Sequence, residues 1–140
     1  MGTGSLEASS NGKGAGIGGG REIACGNIEI QGGTVSATGG EEAAGIGSGY
    51  CGNCGDITIT SDVTKVTATK GEGATNSIGA GYSGTCGKVT IGGKVYWDGS
   101  AYQNGGDTYL TINPIIYPAP EVGGVSGLDP FAGGGDPIAN

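Results

Sequence analysis

Four cysteines, at positions 25, 51, 54 and 86, are the residues of this chain best suited to covalent or metal chemistry. Cys51-Gly-Asn-Cys54 is a CxxC pair, a redox motif when a helix start stabilises its first thiolate. No helix is evident there. Four thiolates also suit tetrahedral zinc, but a second CxxC is absent and there is no histidine to substitute. Disulfides in an oxidising compartment, or a reduced and buried cysteine row, are the other outcomes. With no histidine, Ser-His and Cys-His nucleophile pairs are excluded.

Sugar-cleaving chemistry needs clustered carboxylates, often with calcium and a nearby base. Glu29, Asp56, Asp62, Asp98 and Asp107 are instead scattered, and Arg21 is the single arginine. Glu41-Glu42 reads as a solvated loop pair. Gly14-x-Gly16-x-x-Gly19 fits the dinucleotide fingerprint, which requires a strand before it and a helix after it. Met1–Lys13 is polar and glycine-rich, so no strand is expected there, and Gly26 interrupts any following helix. The residues imply no enzyme and no cofactor. Four aromatics remain as candidates for ligand binding: Tyr96, Trp97, Tyr102 and Tyr109. Their faces suit the apolar faces of pyranose rings, although Trp97, with Tyr96 and Tyr102, would equally cover an exposed core.

Composition sets the limits. The chain has 140 residues, 35 of them glycine, with 6 basic against 13 acidic residues and a net charge of −7. Six scattered cations form no phosphate-binding patch, which argues against nucleic acid. No apolar run approaches the ~18 residues of a membrane span, and no leader pattern opens the sequence. Its first seven residues resemble a cloning remnant more than a native start.

What must position the cysteines and aromatics is a repeat. An isoleucine set in glycine recurs at Ile17, Ile46 and Ile78, at intervals of 29 and 32 residues. Each is followed by a turn ending in Cys-Gly: Cys25-Gly26, Cys54-Gly55, Cys86-Gly87. Alternating pairs come next, Ile28/Ile30, Ile57/Ile59 and Val89/Ile91, and then Val35/Ala37, Val66/Ala68 and Val95/Trp97. Period-two alternation marks half-buried strands, and a repeat of about 30 residues marks a solenoid. One repeat per coil lays equivalent strands ~4.8 Å apart in parallel sheets. Glycine then supplies the positive φ at tight corners. This predicts an all-β, short parallel β-helix of about three coils with an aromatic C-terminal cap. The alternative, a sandwich of antiparallel hairpins, does not require the recurrence.

Three cysteines then share one column, with Cα atoms about 5 Å apart and within disulfide reach. Cys51 stands three residues ahead of the middle one. Cys25–Cys54 with Cys51–Cys86 is one candidate pairing among the three possible.

The pattern Gly-Ile-Gly-x-Gly … Cys-Gly-x-Ile-x-Ile … Gly-x-Val-x-Ala-Thr resembles repeats of secreted or cell-surface proteins of gut bacteria. Those are described as right-handed β-helix, adhesin-like or carbohydrate-binding-like. Residues 93–107 look like the closing segment of such blocks. The resemblance covers residues 14–117 and implies an exported bacterial surface protein, with no catalytic residues to carry over.

The expected organisation is a flexible segment over 1–13, repeats over 14–42, 43–74 and 75–112 (the last including the cap), and a Pro/Gly-rich tail over 113–140. Thr108–Ile112 reads as the final strand, and Ile115, Ile116 and Tyr117 could tack the tail along the repeats. The expected function is adhesion or glycan binding without catalysis, with a glycan or host surface as partner. A structural spacer capable of end-to-end self-association is the alternative. A polysaccharide-degrading fragment and an ice-binding protein fit less well. The Thr-x-Thr face needed for ice, Thr58-Ile-Thr60 and Thr67-Ala-Thr69, does not persist in the first and third repeats.

Overall fold

The structure, a computed structural model, describes residues 4–119. The chain is all-β, with parallel sheets. Strands β1 (Ser5–Ser9), β2 (Ile17–Gly18), β3 (Ile28–Ile30), β4 (Thr34–Thr38), β5 (Ile46–Gly47), β6 (Ile57–Ile59), β7 (Lys65–Thr69), β8 (Ile78–Gly79) and β9 (Val89–Ile91) recur in threes. They fall into three sheets that the backbone visits in rotation. The first sheet holds β1, β4 and β7, the second β2, β5 and β8, and the third β3, β6 and β9.

Register follows the repeat residue for residue. Ile17 pairs with Ile46 and Ile46 with Ile78. Ile28 pairs with Ile57 and Ile57 with Val89, while Val35 pairs with Val66. The apolar member of each alternating pair points inward, so a single column of isoleucine, valine and alanine forms the core. Ile46, Ile57, Ile59, Val66 and Ile78 are completely buried. The first repeat is more open: Ile17, Ile28 and Ile30 are only half-buried and pack against the cluster from one side.

The glycine after each repeated isoleucine allows the laps to approach. Gly18, Gly47 and Gly79 have φ of 131°, 140° and 130°, which side-chain-bearing residues rarely adopt. A Cβ on Gly47 would also collide with the Gly79 carbonyl directly beside it.

Several expectations are corrected at the two ends. Ser5–Ser9, in the stretch expected to be flexible, is a strand, and Leu6 and Ala8 register with Val35 and Ala37. Val95 does not stack on Val66. The chain instead reverses, and β10 (Lys94–Trp97) pairs antiparallel with β9. Thr108–Ile112 is not a strand. A one-turn helix, α1 (Gly106–Tyr109), occupies that region, and the closing strand is β11 (Ile115–Tyr117), antiparallel to β7. The physical reason is that an outermost parallel strand has no next lap to pair with, and a local reversal satisfies its edge. Residues of the expected tail from 120 onward lie outside the described part.

Candidate functional site

The cysteine column is the first cluster the register assembles. Cys25 and Cys54 form a disulfide across adjacent laps, with Cα atoms 4.7 Å apart. The Cys25 amide donates to the Asn53 carbonyl at 2.8 Å, and the Cys54 amide to the Thr85 carbonyl at 3.0 Å, so Cys86 continues the same column. Cys51 and Cys86 are not bridged to each other. Cys51 belongs to a different column: it is the equivalent of Glu22 and Ser83, and all three take left-handed backbone angles (φ 56°, 58° and 56°). Its three-residue offset from Cys54 is that of a corner position outside the cysteine row. The Cys86 thiol is pushed up to about 11, by burial first and by the nearby Asp56 carboxylate second.

The four candidate aromatics separate into two pairs. Tyr96 and Tyr109 stack at 4.5 Å and, with Tyr117, pack against the core cluster. Burial holds the Tyr109 hydroxyl up at about 12, with Tyr96 and Tyr117 adding to it. Trp97 and Tyr102 meet edge-to-face at 4.9 Å. They stand on either side of a turn built by Asp98, whose Oδ1 accepts from the Ser100 and Ala101 amides, both at 2.8 Å. Those amides, Ala101's first, hold the Asp98 carboxyl below its usual range. Asp56 is likewise occupied structurally, accepting from the Lys88 amide.

Trp97 and Tyr102 form one wall of a cleft of about 350 Å³. The opposite wall is the outer edge of the third repeat, Ala80 to Cys86, and the floor includes Val89 and Leu110, both buried. Trp97 Nε1 donates to the Cys86 carbonyl at 3.3 Å, tying the walls together at one end. At the other end, the Tyr102 hydroxyl donates to Asn76 Oδ1, also at 3.3 Å. Asn76 is itself buried and fixed by donation to the Ala80 carbonyl.

The cleft exists because, among the described residues, only two of the three sheets are covered at this end. β10 closes the third sheet and β11 the first, but β8 is the last strand of the second. Lap by lap, Ser48 donates its amide to Gly79, Cys51 to Tyr82 and Cys54 to Thr85. The corresponding amides of Ala80, Ser83 and Cys86 point to where a further lap would run. Among the described residues they have no acceptor.

No family model, no curated protein and no solved structure matches this chain.

A second exposed aromatic feature has no counterpart among the residues singled out from the sequence. Tyr50 and Tyr82 lie parallel, with centroids 5.9 Å apart and planes inclined by 8°. Lys13 Nζ and the Arg21 guanidinium approach the Tyr50 ring at 4.9 and 5.8 Å. Lys13 is also held by Glu42 at 2.5 Å, and this hydrogen bond chiefly raises its pKa. The signal was available: each tyrosine stands four residues after its repeated isoleucine, in Gly-Ser-Gly-Tyr and Gly-Ala-Gly-Tyr.

Among the described residues, no group of three or more His, Cys, Asp or Glu converges as a metal site would require. No helix among them is long and apolar enough to cross a membrane.

Proposed function

We propose that this chain is a right-handed parallel β-helix module of a bacterial cell-surface protein that binds glycan without catalysis. The observation that carries the reading is the cleft between Trp97/Tyr102 and the uncapped edge of β8. It combines an aromatic wall, apolar lining and a row of hydrogen-bond donors, the mixture of apolar surface and a few placed polar groups that small-molecule sites use. The rigid stack of laps fixes these groups before a ligand arrives, which lowers the ordering cost of binding. The Cys25–Cys54 disulfide is compatible with an extracellular setting. A glycan microarray tests the reading. The folded protein should give a defined set of positive sugars, and Tyr102→Ala, a change at an exposed position, should abolish them. A blank array would count against the proposal.

One observation favours a structural role as a second reading. Among the described residues no reversed strand covers the opposite end of the stack: Leu6 is exposed, and Ile17, Ile28 and Ile30 border a shallow apolar hollow. A spacer or assembly segment would dock there against a second copy. Light scattering would reveal a concentration-dependent dimer that Leu6→Glu dissolves.

A further inference from the structure

The cleft carries more information than an aromatic wall alone. We propose that it selects a hexose bearing an N-acyl group, of the N-acetylhexosamine class, a selection that rests on its reading as a glycan site. Three features of the lining point there together.

The first is charge. No Lys, Arg, Asp or Glu lines the cleft. A uronic or sialic acid would meet no cation, and the chain's net charge of −7 would oppose its approach. A free amino sugar would find no carboxylate. The ligand group is neutral.

The second is the imbalance of hydrogen-bonding groups. The amides of Ala80, Ser83 and Cys86 have no acceptor among the described residues, and at this partly exposed edge they are free to donate to a ligand. A carbonyl oxygen in the position the next lap would have supplied would accept from them. One lap below, the matching amides of Ser48, Cys51 and Cys54 are met by the carbonyls of Gly79, Tyr82 and Thr85. An amide carbonyl on the ligand would meet the open donors in the same way.

The third is the adjacency of that donor row to an apolar surface. The apolar surface open to a ligand comes from Trp97, Tyr102 and the Ala80 and Cys86 side chains, with Val89 and Leu110 fully buried behind it. A simple hydroxyl would satisfy the donors but leave that apolar surface unused. An acetamido group presents a carbonyl oxygen and a methyl group from one carbon, one toward each surface. The sugar ring would lie against the Trp97/Tyr102 wall, and the cleft, at the small end of the range for ligand pockets, suits a single terminal residue.

Calorimetry with the methyl glycosides of N-acetylglucosamine, glucose, glucosamine and glucuronic acid tests this selection on the intact protein. The N-acetyl sugar should bind at least tenfold more tightly than glucose, and the two charged sugars should not bind. Ala80→Leu places an isobutyl group on the edge that carries the donors, and it should remove binding while leaving the melting temperature within a few degrees. Equal affinities for glucose and N-acetylglucosamine, or a preference for glucuronate, would overturn the acyl selection while leaving a glycan site intact. Failure of all four sugars here, together with a blank microarray, would overturn both. Tight N-acetyl binding that survives Ala80→Leu would place the sugar elsewhere and overturn the assignment to this cleft.

Discussion

The Trp97 indole meets the Tyr102 ring at 4.9 Å and 65°, and the two residues also share an isolated antiparallel bridge. The residues between them form a tight turn held by Asp98. Its carboxylate accepts from the Ser100 and Ala101 amides, and its other oxygen accepts from Gln103 Nε2 at 2.9 Å. The wall of the cleft is therefore as rigid as one carboxylate makes it. Because Asp98 titrates below its ordinary value of 3.8 in the folded chain, its contribution is full above that pH and is lost as the pH falls through the lower, folded value. Trp97 is the only tryptophan, so its fluorescence reports on the wall directly. Its emission should shift on acidification below about pH 4. In Asp98→Asn, which keeps the acceptor oxygen, that step should disappear.

The disulfide joins cysteines 29 residues apart. Cross-linking a loop of that length stabilises by about 3–4 kcal/mol through the unfolded state. Cys25→Ser should therefore lower the denaturant midpoint clearly. Cys51→Ser, at a corner outside the column, should change stability by no more than about 0.5 kcal/mol. Paired chemical denaturation curves would check both.

The centre of the stack should be the least tolerant of change. Ile46→Ala leaves a cavity between two laps and should cost about 2–5 kcal/mol. Gly47→Ala adds one methyl group yet combines a positive φ with a collision against the Gly79 carbonyl. It should cost at least about 1–3 kcal/mol. Leu6→Ala, at the exposed edge, should cost far less than either. Thermal melts of the three variants would rank them.

Cys86 holds its proton to about 11 in the folded chain, against an ordinary thiol value of 9.0. The unfolded chain releases that proton first, so folding stability should fall as the pH rises from about 9 to about 11. Alkylation supplies the measurement. The rate of iodoacetamide labelling at Cys86 should still be climbing between pH 9 and about 11, whereas a plateau by pH 9 would contradict its burial.

What was legible in the sequence is what repeats. Ile17, Ile46 and Ile78 recur with the same neighbours because each makes the same inward contact, and the parallel register followed from that alone. The Cys25–Cys54 contact was legible for the same reason, although the chain's spacing could not reveal that Cys51 sits on a corner. The ends were not legible. Val95 alternates like Val35 and Val66, but with no following lap its strand folds back on β9. Thr108–Ile112 has strand-like alternation over only a short stretch, and the turn at Asn104-Gly105, with φ of 54° and 77°, starts a helical turn instead. Ser5–Ser9 reads as polar, although Leu6 and Ala8 repeat the two-residue spacing of Val35 and Ala37. Tyr50 and Tyr82 were hidden because an outward column leaves no hydrophobic pattern. The open edge of β8 depends on which sheets the cap happens to cover, and no local pattern encodes that.

The most direct measurement is an amide-resolved NMR titration of the full chain with the methyl glycoside of N-acetylglucosamine. A sugar seated in the cleft should shift the Ala80, Ser83 and Cys86 amides together with the Trp97 indole N–H, and leave Tyr50 and the first repeat unmoved. Shifts confined to the Tyr50–Tyr82 column, or no shifts at saturating sugar, would contradict the cleft as the binding site.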